Sequence, residues 1–189
     1  MSNVIAALPA HHAAASDWRH KIKPLREQAV IRDRWLTERL AQVLPHVMRE
    51  EGIDVWLVAA REYNEDPVLM SLLPATMLSA RRRTVLVFHA PADGEFRAMA
   101  IANAGIGIDS HYRTMWNKSM TAEAEETQEE CLRRVVAECS PKRIGVNVSA
   151  DLAFGDGLSH HEHGWLMHAL GEDLAGLCVG AEKVAVGWL

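Results

Sequence analysis

The chain has 189 residues, 49% apolar and 24% charged, the composition of one globular domain with a sizeable core and room for an N-terminal arm. A formal net charge of −5 argues against nucleic acid or anionic lipid as partners, and no window reaches the roughly 18 apolar residues of a membrane span. Cys131, Cys139 and Cys178 form no CxxC pair, so the odd count points to buried free thiols and away from a disulfide framework.

Residues 1–20 are expected to be a flexible leader or the remnant of a signal. Ala13-Ala14-Ala15 would suit a signal peptidase, but a basic n-region is missing and the apolar run Val4–Leu8 is too short for an h-region. The cytoplasm and the periplasm both stay open as compartments. Pro24 fits the first turn of a helix, and Leu36, Leu40, Val43, Leu44 and Val47 recur at helical spacing, with a kink expected at Pro45 and a stop at Gly52. Ile53–Ala60 reads as a strand covered on both faces. Asp66-Pro67 then marks a cap and first residue of a short helix ending near Pro74.

Thr84–His89 and Glu95–Ala102 read as two strands of a hairpin joined across Ala90–Gly94. Ile101–Asp109 is glycine-interrupted and expected to be irregular, and Tyr112–Trp116 is a candidate edge strand. A helix follows, with Thr121 as its cap, Glu123, Glu125 and Glu126 near its positive end, and Leu132, Val135, Val136 and Cys139 on its apolar face. Pro141 closes it. Ile144–Val148 is the next strand. Ser159-His160-His161-Glu162 matches a capping box opening a helix with Trp165, Leu166, Ala169 and Leu170, and Leu174–Val179 is the last expected strand. The order predicts an α/β fold: residues 21–189 form a single mixed sheet of about six strands flanked by helices.

Candidate chemistry is sparse. His160, His161, Glu162, His163 and His168 lie close together, yet an HExxH pair needs histidines four apart on one helix face, and His160, His161 and His163 are two and three apart. They read as a polar helix start, with a metal site as the rival. Gly105-Ile106-Gly107 and Gly155-Asp156-Gly157 are lone GxG triplets in turns, and a GxSxG elbow is missing. The cysteines lack an evident base, and apolar surroundings should raise their pKa values.

The stretch Arg61–Phe88 is the most informative. A buried strand ends in Arg61, Tyr63, Asn64, Glu65 and Asp66, and Arg81, Arg82 and Arg83 lead into the next. In open α/β sheets the crevice beyond the strand ends is where ligands and partners bind. The group combines charge, a phenol and an amide but holds no nucleophile with a base, so it reads as a recognition surface. The bland alternative makes Asp66 a helix cap, pairs Arg61 with a nearby acid, and leaves the arginines as a solvated strand entrance.

Four segments carry a resemblance: RLAQVLPHVMREEGIDVWLVAAREYNEDP (39–67), LPATMLSARRRTVLVF (73–88), PKRIGVNVS (141–149) and the closing GLSHHEHGWLMHAL with AEKVAVGWL. From Trp35 onward the pattern resembles the N-terminal domain of the creatinase/prolidase family, the pita-bread metallopeptidases that include Xaa-Pro aminopeptidases. REYNEDP and LSARRRT resemble one bacterial subfamily of Xaa-Pro peptidase-like proteins. The resemblance implies a mixed sheet flanked by helices, without a metal centre, that helps to build a homodimer and overhangs an active site open to short peptides. It places catalysis in a separate C-terminal domain, where two aspartates, a histidine and two glutamates hold two divalent metals, manganese or cobalt. None of those ligands can be placed here, and Leu189 falls about where that domain would start.

The expectation is therefore a non-catalytic domain acting through protein contacts, with Arg61, Tyr63, Asn64, Asp66, Arg81 and Arg82 facing a catalytic domain or second protomer. The alternatives are a small metal-dependent hydrolase using His160, His161 and His163, and a free-standing regulatory domain.

Overall fold

The computed structural model of the chain describes residues 21–103, 107–116 and 126–189. The expected leader, Thr121, Glu123, Glu125 and the first two residues of Gly105-Ile106-Gly107 lie outside these residues. Leu36, Leu40, Leu44 and Met48 are buried along one side of α1 (Leu25–Glu50), the side that a four-residue spacing brings together. The helix continues through the buried Pro45 and gives way at Gly52, whose φ of 62° lies in the left-handed region that glycine enters without steric cost. β1 (Val55–Arg61) is buried at every position but its last. Asp66 caps α2 (Pro67–Leu72) by accepting the Val68 amide at 2.7 Å.

β2 (Arg83–His89) and β3 (Arg97–Ile101) pair antiparallel, with Val85 opposite Ile101 and His89 opposite Arg97, as the hairpin signal predicts. β4 is short, Arg113–Thr114. α3 (Gln128–Glu138), β5 (Ile144–Val146), α4 (His160–Ala175), β6 (Cys178–Gly180) and α5 (Glu182–Trp188) complete the order. The six strands form one sheet, β4-β3-β2-β1-β5-β6. Only β2 runs against its neighbours; every other adjacent pair in the sheet is parallel. The protein is thus α/β with a single mixed sheet and helices on both faces. No helix among the described residues is long and apolar enough to cross a membrane.

Strand alternation divides the core in two, because successive side chains point to opposite faces. Trp56, Val58, Ala60, Leu86 and Phe88 face α1, α2 and α5. Val55, Leu57, Ala59, Val85 and Val87 face α3 and α4.

Three elements differ from the sequence reading. The cap of α3 is Thr127, not Thr121: its hydroxyl accepts the Glu130 amide at 3.2 Å, while the Glu130 carboxylate accepts the Thr127 amide at 2.7 Å. Thr127 has a glutamate three residues on and Thr121 has alanine, so only Thr127 can close a reciprocal capping box. The last strand is Cys178–Gly180, because α4 resumes beyond a break at Gly171 (φ 72°) and carries Leu174 within it. The closing AEKVAVGWL folds as α5, which the sequence reading left unassigned.

That last helix is structural. Trp188 is fully buried, its indole N–H donates to Ser71 Oγ at 2.7 Å, and the Arg39 guanidinium stacks 4.1 Å from its ring. One side chain therefore joins α5, α2 and α1. Trp188→Ala should lower unfolding stability by roughly 3–5 kcal/mol, the range for truncating a buried large aromatic, which urea unfolding would measure. A loss under 1 kcal/mol would show that α5 is not part of the cooperative core.

Candidate functional site

The reversal of β2 decides where polar groups collect. Because β2 runs against β1 and β3, the residues entering β2 meet those leaving β1, β3 and β4. Arg82 and Arg83 accordingly share a cleft of ≈ 410 Å³ with Arg61, Glu62 and Tyr63 after β1, Asn103 after β3, Trp116 after β4, and Gln128 at the start of α3. The cleft lies beyond the carboxyl ends of β1, β3 and β4, the location at which open α/β sheets bind ligands and partners.

Two of its walls are strained. Tyr63 (φ 69°) and Arg82 (φ 54°) both occupy the left-handed region, which costs a residue with a Cβ of order 1 kcal/mol or more. They lie on facing turns. The Glu62 amide donates to Arg82 O at 2.9 Å, and the Asn64 amide donates to Arg61 O at 3.0 Å. Glu65 Oε1 accepts the Tyr63 and Ala80 amides, each at 3.2 Å, which ties the two turns together. The result holds the Tyr63 ring outward at 92% exposure.

Beneath the cleft the floor is rigid. Glu162 is 2% exposed and accepts Arg83 Nε at 2.6 Å and Nη2 at 2.9 Å, a two-pronged charge-assisted pair. Arg61 Nε lies 3.5 Å from the same carboxylate, with its side chain 51% exposed. The Arg83 guanidinium stacks 3.8 Å from the Trp165 ring, whose N–H donates to Glu129 at 2.6 Å. Gln128 Nε2 donates to Arg83 O at 3.1 Å and Ile101 O at 3.0 Å, joining the start of β2 to the end of β3. The sequence reading assigned Glu162 to a capping box. Only the Ser159 half forms, with Oγ accepting the Glu162 amide at 3.3 Å, and the carboxylate turns inward to the two arginines.

Of the six residues singled out from sequence, Arg61, Tyr63 and Arg82 line the cleft. Asn64 is exposed and bridges to Arg61, next to it; the exposed Arg81 donates its amide to Thr84 Oγ1 at 3.2 Å and forms no part of the lining. Asp66 does not join them. It is 1% exposed and accepts Asn147 Nδ2 at 2.6 Å, while Asn147 Oδ1 accepts the Trp56 indole N–H at 2.8 Å. A side chain at Gly157 would collide with the Asp66 carboxylate, so the Gly155-Asp156-Gly157 turn serves this buried network. Glu62, Arg83, Asn103, Trp116, Gln128 and Glu162 were not selected from sequence. The arginine run pointed to Arg83, whereas Trp116 and Gln128 arrive from distant segments with no short-range signal.

His160 and His161 are exposed at the start of α4, and His163 is half-buried one turn on. Among the described residues no group of three or more His, Cys, Asp or Glu side chains could hold a metal ion. Cys131, Cys139 and Cys178 are free thiols. Burial pushes Cys131 up to about 12 and Cys178 up to about 11, which removes thiolate at neutral pH. The chain matches no protein-family model, no curated protein and no solved structure.

Glu162→Ala leaves the part-buried Arg83 without its counter-charge, so stability should fall by roughly 2–4 kcal/mol, somewhat less than for breaking a fully buried pair, measurable by chemical denaturation; a loss below 1 kcal/mol would remove Glu162 from its structural role. Asp66 is held above its ordinary pKa, chiefly by desolvation, against which the Asn147 and Val68 hydrogen bonds act. The folded state thus binds the Asp66 proton more tightly than the unfolded chain. This contribution is full below the unfolded value and is lost as pH rises through the folded one. The stability of wild type minus that of Asp66→Asn should therefore decline with rising pH across that window, and a difference that grew with pH would reverse the assignment.

Proposed function

We propose that this chain is a non-catalytic recognition domain of the creatinase/prolidase N-terminal type, contributing to dimerisation and to peptide access at a separate catalytic domain. The observation that carries the reading is the strained pair Tyr63 and Arg82 at the strand-end cleft. Strain persists where the surrounding structure enforces it, and it concentrates at binding and switch sites. Tyrosine, tryptophan and arginine are the residues that most often anchor protein interfaces, and Tyr63, Trp116, Arg61 and Arg82 meet here.

Further support comes from what surrounds the cleft. Among the described residues its lining is made of arginine, amide and aromatic side chains with one glutamate, groups suited to recognition. The six mixed strands with helices on both faces are also what the resemblance in Arg39–Pro67 and Leu73–Phe88 implies for this domain type. The two divalent metals of such enzymes would belong to the catalytic domain, and the role of this one would be to dock and to restrict.

Tyr63→Ala and Arg61→Ala should leave the thermal melt within a few degrees of wild type, because Tyr63 is exposed and Arg61, half in solvent, adds only a 3.5 Å contact to a Glu162 already paired with Arg83. Each should weaken self-association, or peptide turnover once a catalytic domain is attached, by about tenfold, the scale of one interface anchor. Sedimentation velocity across a concentration series and steady-state peptide hydrolysis would measure this. Unchanged association and turnover in both variants would sink the reading.

A further inference from the structure

The first part of α1 stands clear of the core. The helix spans 26 residues, and its buried positions begin only at Leu36. From Leu25 to Trp35 no residue is buried, and Leu25, Val30 and Trp35 are 82%, 68% and 55% exposed. A helix in a folded protein draws most of its stability from the packing of one face, and exposed apolar side chains gathered on one element mark an interaction surface. The stretch is nevertheless held in place. Asp33 Oδ1 accepts the Ala75 amide at 2.7 Å, and the Asp33 carbonyl oxygen lies 3.0 Å from His111 Nε2.

The charges on this stretch identify what covers it. Glu27, Val30, Ile31, Arg34 and Glu38 recur at spacings of three and four, which places them on one strip of the helix, turned away from Leu36, Leu40 and Leu44. Lys23 lies one turn before Glu27. Along the strip the order is therefore cation, anion, apolar pair, cation, anion. Against a second copy in the same direction and register, every charge would meet its like. Against an antiparallel copy, related by a two-fold axis between Val30 and Ile31, Glu27 meets Arg34 and Lys23 meets Glu38 while the apolar pair packs at the centre. Each contact is then made twice, as a closed isologous interface requires. Within one chain these charges pair only along the helix, Lys23 with Glu27 at 3.3 Å and Arg34 with Glu38 at 3.7 Å, all four side chains more than half exposed.

We propose that the outward strip of α1 is an interface for a second copy of this chain. Two α1 helices pack antiparallel across the axis between Val30 and Ile31, with a reciprocal Glu27–Arg34 pair on either side. The partner is a second copy because the strip is complementary to its own reverse, whereas a foreign surface of one sign would meet charges of both. The inference goes beyond the reading of the cleft as a recognition surface, and the two surfaces share no residue.

The test is sedimentation velocity of the full chain over a concentration series at low ionic strength. The samples are wild type, the charge reversals Glu27→Arg and Arg34→Glu, and an equimolar mixture of the two variants. Wild type should show a monomer–dimer equilibrium. Either reversal sets like charges opposite each other on both sides of the axis and should weaken the dimer by at least about tenfold. In the mixture a Glu27→Arg chain meets an Arg34→Glu chain with opposite charges at both contacts, so dimerisation should return to near the wild-type level. Both side chains are exposed, so the thermal melts of the variants should stay within a few degrees of wild type.

A monomer at every concentration up to about 1 mM, where even a weak specific interface fills, would overturn the proposal. So would reversals that leave association unchanged, or a mixture no tighter than either variant alone. Tyr63→Ala reports on the cleft separately. Association lost in Tyr63→Ala and untouched by Glu27→Arg would assign the dimer to the cleft and remove the α1 interface; the opposite pattern would leave α1 standing without the cleft.

Discussion

The Glu162 carboxylate is the constraint on which the strand-end surface depends. It sits almost fully buried and is held by a guanidinium from the first residue of β2, with a second guanidinium from the last residue of β1 alongside. A buried anion is tolerable only when it is paired and hydrogen-bonded, and the two-pronged contact from Arg83 supplies both. The same contact fixes the start of β2 against α4, and the stacking of Arg83 on Trp165 extends the tie through Glu129 to α3. Everything that faces the cleft stands on that platform.

On it the chain places groups that a less constrained surface would not hold. Tyr63 and Arg82 remain in the left-handed region because their turns are cross-linked by the Glu62 amide and by the Glu65 carboxylate, so relaxing either turn would break contacts in the other. A cross-linked, exposed surface suits recognition, since little entropy is lost when a partner arrives. The Asp66–Asn147–Trp56 network does parallel work one layer deeper, where α2 meets the sheet, and Gly157 provides the room it needs.

Much of this was legible along the chain. The four-residue spacing of Leu36, Leu40 and Leu44, the unbroken apolar run of β1, the Asp66-Pro67 cap and the hairpin across Ala90–Gly94 are local patterns, and local patterns survive into the fold. The loop after β1 and the arginine run also stood out, because polar residues between buried strands have few other places to go than a strand edge. The failures have a common cause. Glu162 satisfied a cap motif three residues from Ser159, and nothing nearby revealed that its carboxylate would instead meet Arg83 and Arg61 from the two strands beneath α4. Asp66 looked like part of the polar loop, yet its partner Asn147 is contributed by the segment after β5. Thr121 lost to Thr127 on a detail that is local: glutamate stands three residues after the second threonine and alanine after the first.

By itself, then, the sequence determined the class of fold, the two-sided sheet and the neighbourhood in which polar groups would gather, because periodicity, caps and turn residues act over a few positions. Tertiary structure decided which of those groups share a site. The reversal of a single strand, β2, carries Arg82 and Arg83 to the edge where β1, β3 and β4 end, and it brings Trp116 and Gln128 to the same cleft. Strand direction and order are set by the packing of the whole sheet against its two helical layers, and no short segment encodes them.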